Sequence, residues 1–168
     1  MNQEKALVWF RRDLRDEDNV ALAEATRRAR RVFCVFIFDR AILDVLPSRT
    51  DRRVEFIHKS LQELDAALRL QGGALIVRYA QAIDEIPRLA LELGVSAVFA
   101  NRDYEPQAKL RDQQVASSLA RHAIGFENFK DHALLDGAEV LTQSGRAFTV
   151  YTPYRKAWLK RLCEEDLA

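Results

Sequence analysis

The chain has 168 residues, enough for one domain with a buried core, and its 48% hydrophobic and 30% charged content is that of a globular protein. With 26 Lys and Arg against 25 Asp and Glu the net charge is +1, so no overall basic field attracts nucleic acid. No apolar stretch approaches the roughly 20 residues that span a bilayer, no leader-peptide pattern opens the chain, and two widely separated cysteines, Cys34 and Cys163, make no metal site; a cytoplasmic protein without a membrane partner is expected.

Apolar runs and helical patterns then alternate. Ala6–Phe10 (ALVWF) is apolar without a break, the mark of a strand buried on both faces, and it stops at Arg11-Arg12-Asp13. Asn19–Ala29 follows as a helix entered through Asp16 or Asp18, with Arg27–Arg31 as its solvated C-terminal face. Val32–Phe38 is the second strand, ending at Asp39-Arg40. Thr50–Leu70 carries Val54, Ile57, Leu61, Leu64 and Leu68 at helical spacing, with a capping box at Ser48 and Asp51 and a stop at Gly72-Gly73. Ala74–Tyr79 is the third strand, and Ile83–Leu93 is a helix with Pro87 placed in its first turn and Gly94 closing it. Val95–Ala100 is the fourth strand, Pro106–His122 a helix opened by proline, and Gly125–Phe129 a weaker fifth strand.

Strand and helix alternating in this way predict an α/β fold with a parallel sheet. After Phe129 the alternation lapses into turns around Gly137 and Ser144-Gly145. Within Phe148–Leu162 a short amphipathic helix is expected, with Trp158, Leu159 and Leu162 on one side. The expected division is a sheet domain over 1–130 and an extension over 131–168, whose apolar face is exposed or covered by a second copy of the chain.

In open parallel sheets, ligands sit beyond the carboxyl ends of the strands where the strand order reverses. If the first and fourth strands are neighbours, Arg11–Arg15 faces Asn101–Glu105 across one crevice. Arginine forks there could clamp a carboxylate, a phosphate or a planar heterocycle, while Asp103 and Glu105 could accept from ring N–H groups or hydroxyls. Asp13 and Arg15 read first as charge pairs tying loops together; Arg12, Asp39, Asp103 and Glu105 are even candidates for binding. A P-loop, G-x-G-x-x-G, C-x-x-C and G-x-S-x-G are all missing, and His58, His122 and His132 are scattered over helix and loop positions. The residues describe a ligand-binding α/β domain with no catalytic residue and no metal site of its own.

LVWFRRDLRDEDNVAL (Leu7–Leu22) resembles the N-terminal signature of the DNA photolyase/cryptochrome family, and bacterial photolyases within it. FIFDRAIL (Phe36–Leu43), DRRVEFI (Asp51–Ile57), GGALIV (Gly72–Val77), NRDYEP (Asn101–Pro106) and YTPYRKAWLKRL (Tyr151–Leu162) extend the resemblance in order over nearly the whole chain. The resemblance implies a Rossmann-like, three-layer domain: a five-stranded parallel sheet with helices on both faces, carrying a light-harvesting antenna chromophore. It places FAD and the DNA-lesion pocket in a further helical domain, so that UV-damaged DNA is a partner only of the full-length protein. It favours 8-hydroxy-deazaflavin or FMN as the antenna, held by Arg11 or Arg12, Asp39, Arg53, Asp103 and Glu105. Methenyltetrahydrofolate is the alternative, against which Gln107-Ala108 stand where folate binders carry an Asn-Glu pair. The implied activity of the parent is light-driven repair of pyrimidine dimers, with a cryptochrome photoreceptor or a free-standing nucleotide-binding module as alternatives.

Overall fold

The computed structural model describes residues 3–48, 50–135 and 139–163. The chain divides into two compact units, Met1–Phe129 and Lys130–Ala168. In the first, the elements run β1 (Gln3–Phe10), α1 (Val20–Arg28), β2 (Ala29–Asp39), α2 (Arg40–Leu43), α3 (Arg52–Leu70), β3 (Leu75–Ala80), α4 (Ala82–Leu93), β4 (Ala97–Asn101), α5 (Pro106–Ala120) and β5 (Gly125–Phe129). All five strands are parallel, in the order β3-β2-β1-β4-β5.

Unbroken apolar sequence in β1 follows from its central place. Leu7 and Trp9 pack with Val35, Ile37 and residues of α4 and α5, including Ile86, Leu89, Val115 and Leu119. Ala6, Val8 and Phe10 turn to the other face, against Cys34, Phe36, Leu22 and Ala25 of α1, and Leu61, Leu64 and Leu68 of α3. Three layers result, with strand periodicity of two deciding which helix pair each side chain meets. From β1 the chain first winds outward through β2 to β3 with α1 and α3 on one face. It then returns through α4 on the opposite face to place β4 at β1's free side. The strand order therefore reverses between β1 and β4, the neighbours the crevice required.

Several local expectations are corrected. Asn19 is the N-cap of α1, accepting from Leu22 N. Asp18 cannot serve there, because its φ of 47° is left-handed whereas a cap needs extended backbone. Arg30 and Arg31 lie in β2, so only Arg27 and Arg28 form a helix end. Asp51 caps α3 through Arg53 N, while the Ser48 hydroxyl accepts from Thr50 N instead. α4 begins at Ala82 behind Gln81, which moves Pro87 beyond the first turn. Gly94 closes that helix with φ 65°. The short α2 had no expectation at all; it exists because the Asp39 carboxylate caps it at Ala41 N.

The second unit carries α6 (Tyr151–Arg161), with no buried residue. Trp158 and Leu162 are half-buried and Leu159 is exposed, so none of the three is in a core. Phe148 packs edge-on to Tyr154 at 6.0 Å. Among the described residues no helix is long and apolar enough to cross a membrane.

Candidate functional site

At the carboxyl ends of β1 and β4 a buried polar knot joins two loops and two helices. The Asn101 carboxamide donates to Asp13 Oδ2 at 2.7 Å and to Asn19 Oδ1 at 3.0 Å, and its own oxygen accepts from Ala21 N at 2.9 Å. Asp13 Oδ1 in turn accepts from Arg11 N at 2.8 Å. Asp13, Asn19 and Asn101 are all buried, so each of these bonds replaces water and leaves a costly orphan if broken. Asp13 is the loop tie it was read as. Arg15 likewise closes its own loop, donating to the Asp18 carbonyl.

Arg11 is drawn into this support. Its Nη1 forks onto both oxygens of Asp112 at 2.7 Å and its Nη2 reaches the Asn101 carbonyl. Both side chains of the Arg11–Asp112 pair are more than nine-tenths buried. The indole of Trp9 is met by Arg11 and Arg111, whose guanidinium carbons stand 5.0 and 4.8 Å from the ring centroid. Of the two consecutive arginines, Arg12 is the one that turns outward.

Arg12, Asp103 and Glu105 form one cluster across the β1–β4 edge. Arg12 Nη2 meets Glu105, its Nε stands 3.6 Å from Asp103 Oδ2, and its guanidinium lies 5.7 Å over the Tyr104 ring. The Glu105 hydrogen bond, reinforced by the charge of Asp103, raises the Arg12 guanidinium above its ordinary value. Asp103 is buried and braces the loop by accepting from Glu105 N at 3.2 Å, whereas Tyr104 is 60% exposed. One cation here faces two carboxylates, so the cluster repels phosphate and suits a ligand edge that donates hydrogen bonds.

Asp39 and Arg53 are placed separately. Asp39 is buried at the end of β2, and its Oδ1 accepts from Ala41 N and Ala82 N. Among the described residues no donor reaches its Oδ2, a buried acceptor left open at the sheet's carboxyl edge. Arg53, in the first turn of α3, folds onto Asp51, whose carboxyl it holds down at about 2 through its side chain and then its backbone N–H. Among the described residues no hydrogen bond or ion pair links Arg53 to the Arg12 cluster. The three histidines are all exposed, and no group of metal-binding side chains occurs among the described residues.

A cleft of about 440 Å³ opens elsewhere, between α1 and α3, lined by Asp16, Asp18, Leu22, Cys34, Leu68 and Gln71 among others. It contains none of the six candidate residues and no cation, and its carboxylates leave it unsuited to a phosphate-bearing ligand. From the sequence Asn19 and Asn101 read only as the starts of a helix and of a crevice loop, and Asp112 carried no reading. Asp112 had a readable signal: with Ala108, Val115 and Leu119 it occupies the buried stripe of α5, where a carboxylate demands a buried cation.

Comparison with known proteins agrees with this architecture. A sequence model described as DNA photolyase matches residues 6–168. The deoxyribodipyrimidine photo-lyase of a Synechococcus strain is 35% identical over 155 residues, covering 90% of this chain and 31% of that protein. A class III photolyase from Agrobacterium tumefaciens superimposes with a TM-score of 0.82 at 28% identity, over 94% of this chain and 32% of that one. An archaeal photolyase from Sulfolobus tokodaii, described as holding two FAD molecules with implication of a novel light-harvesting cofactor, gives 0.74 at 33% identity over 83% of this chain and 32% of its own. The chain thus spans about a third of the length of these relatives.

Proposed function

The chain belongs to the DNA photolyase family through residues 6–168, and we propose that its sheet unit is the light-harvesting portion of a longer photolyase, holding a flavin-type chromophore beyond the carboxyl ends of β1, β2 and β4. The observation that carries this reading is the Arg12–Asp103–Glu105 cluster at the reversal of strand order. The open Oδ2 of buried Asp39 supports it, since a ring N–H or a ribityl hydroxyl would satisfy that acceptor. A bound chromophore would supply absorption of light and transfer of the excitation. The chain's own residues would fix the ring: Tyr104 and Arg12 by stacking on a face, Asp103 and Glu105 by accepting from an edge, and the Asn101 knot by keeping both loops in place. Arg53 would meet a phosphate at the α3 end. The two FAD molecules described for the archaeal relative favour a flavin ring over folate. Repair of pyrimidine dimers by electron transfer from FAD, and the lesion contacts, we assign to the further two thirds of the parent's length.

The test is titration of the chain with 8-hydroxy-deazaflavin, FMN, FAD and methenyltetrahydrofolate, read by chromophore fluorescence. Asp103→Asn and Asp39→Asn should each weaken flavin-type binding by about 1–3 kcal/mol, the scale of one lost charge-assisted hydrogen bond. Equal affinity in both variants, or preference for the folate, would remove these residues from the site. Illuminated dimer repair by the 168-residue chain alone would overturn the assignment of repair to the rest of the parent.

A further inference from the structure

The cleft between α1 and α3 follows from short side chains where two helices share one sheet face. β2 presents Val32 and Cys34 to that face before the larger Phe36 and Phe38, and α1 lines the opening with Ala23 and Thr26. Gly73, between α3 and β3, adds no side chain at all. The room left is about 440 Å³, within the range of about 300–1,000 Å³ that small-molecule pockets occupy. Its floor is apolar, with Leu22 and Leu68 buried in it. Cys34 lies there 7% exposed, and among the described residues its thiol has no hydrogen-bond partner. A buried S–H left open at the bottom of a cleft suits the π face of an aromatic occupant, which accepts from sulfur and packs against it.

The mouth is charged with one sign. Asp16 and Asp18 stand on it, and among the described residues no Lys, Arg or His lines the cleft. Asp16 is half-buried and fixed in place by Gln71, whose Nε2 donates to its Oδ2 at 2.8 Å. Gln71 sits at the end of α3, so this one bond ties the loop before α1 to the opposite wall. Arg15 is spent on its own loop: it donates to the Asp18 carbonyl, and its Nη2 stays 4.0 Å from the Asp18 carboxylate. An anion is therefore repelled. A metal ion is not served either, since no group of metal-binding side chains occurs among the described residues. The complement is an aromatic body on the floor with one cation at the mouth, oriented by a charge-assisted hydrogen bond to Asp16.

We infer that the α1–α3 cleft binds a small aromatic amine, its ring on the floor of Leu22, Cys34 and Leu68 and its ammonium at Asp16 and Asp18. This site uses none of Arg12, Asp39, Arg53, Asp103 and Glu105, and it stands whether or not a chromophore occupies the β1–β4 edge. The experiment is calorimetric titration of the full chain with naphthylmethylammonium, naphthylmethanol and naphthylacetate, which share one ring and differ in charge. The ammonium should bind at least about tenfold more tightly than the alcohol, and the acetate most weakly. Asp16→Asn with Asp18→Asn should remove that preference with an unchanged thermal melt, since each amide keeps an acceptor oxygen. Ala23→Trp, at an exposed position of α1 on the cleft wall, should fill the space and abolish binding of the whole set. In a Cys163→Ser background the S–H stretch of Cys34 should shift when the ammonium binds. Absence of ammonium binding, equal affinity for ammonium and alcohol, undiminished binding by Ala23→Trp, or an unmoved S–H stretch would each overturn the inference. So would loss of ammonium binding in Asp103→Asn with Glu105→Gln, which would put the compound at the β1–β4 edge instead.

Discussion

Arg11 and Arg12 are chemically identical neighbours with opposite fates. Pointing on opposite sides of the strand end, one enters the α4/α5 side and forks onto Asp112, while the other reaches the open rim. The consequence is a split between stability and binding. Asp112→Ala strands a buried guanidinium and should cost about 3–5 kcal/mol in denaturant unfolding. Arg12→Ala removes a pair whose side chains are 46% and 53% exposed and should cost no more than about 1 kcal/mol, while weakening binding of the chromophore proposed for this edge. Cys34 provides a residue-scale pH effect. Burial pushes its thiol up to about 12, so the folded state holds a proton that the unfolded chain releases. Stability from this group is intact below the unfolded thiol value near 8.5 and is lost progressively as pH rises towards 12. Cys34→Ala should flatten that alkaline loss in melts between neutral pH and pH 11. In the native chain at pH 8, iodoacetamide should alkylate exposed Cys163 and spare Cys34, as peptide masses would show.

At the scale of elements, caps and turns decide where each helix hands over to its strand. Gly94 ends α4 in the left-handed region, and Val95 N then bonds back to the Ala90 carbonyl. A Cβ at this position would meet only Lys5 Nζ at 3.8 Å, so the obstacle is the backbone and not space. Gly94→Ala should therefore destabilise by about 1–2 kcal/mol, whereas Gly125→Ala, with ordinary φ and Ala97 Cβ at 3.7 Å, should change stability little. Equal effects would show that β4's entry tolerates other turn geometries. The same reasoning explains α2: a single carboxylate, Asp39, both ends β2 and starts the helix, which is invisible to periodicity because four residues cannot display a period.

At the scale of the molecule, two units separate by what they bury. Nearly all the large apolar residues with full burial belong to the sheet unit, and α6 contributes none. Trp158→Ser with Leu162→Ser should accordingly leave the melt of the sheet unit nearly unchanged. If a second copy covers the half-buried stripe, the same variant should shift the chain towards monomer in sedimentation. A loss of about 3–5 kcal/mol, the scale of deleting a core tryptophan, would instead place Trp158 in a core.

By itself the sequence determined the number and kind of the sheet elements: the central strands, buried on both faces, must be apolar throughout and the crossover helices must show a stripe. The edge strands β3 and β5 mix polar residues and read more weakly. It also determined which strand ends carry charge. Tertiary structure alone decided which of those charges meet. Arg12 joins Asp103 and Glu105, some 90 residues on, only because the return through α4 puts β4 beside β1. Arg11 leaves the rim because Asp112 arrives beneath it on α5. Charged side chains have no period and bind through space, so their partners follow from strand order and helix face, neither of which is written in local sequence.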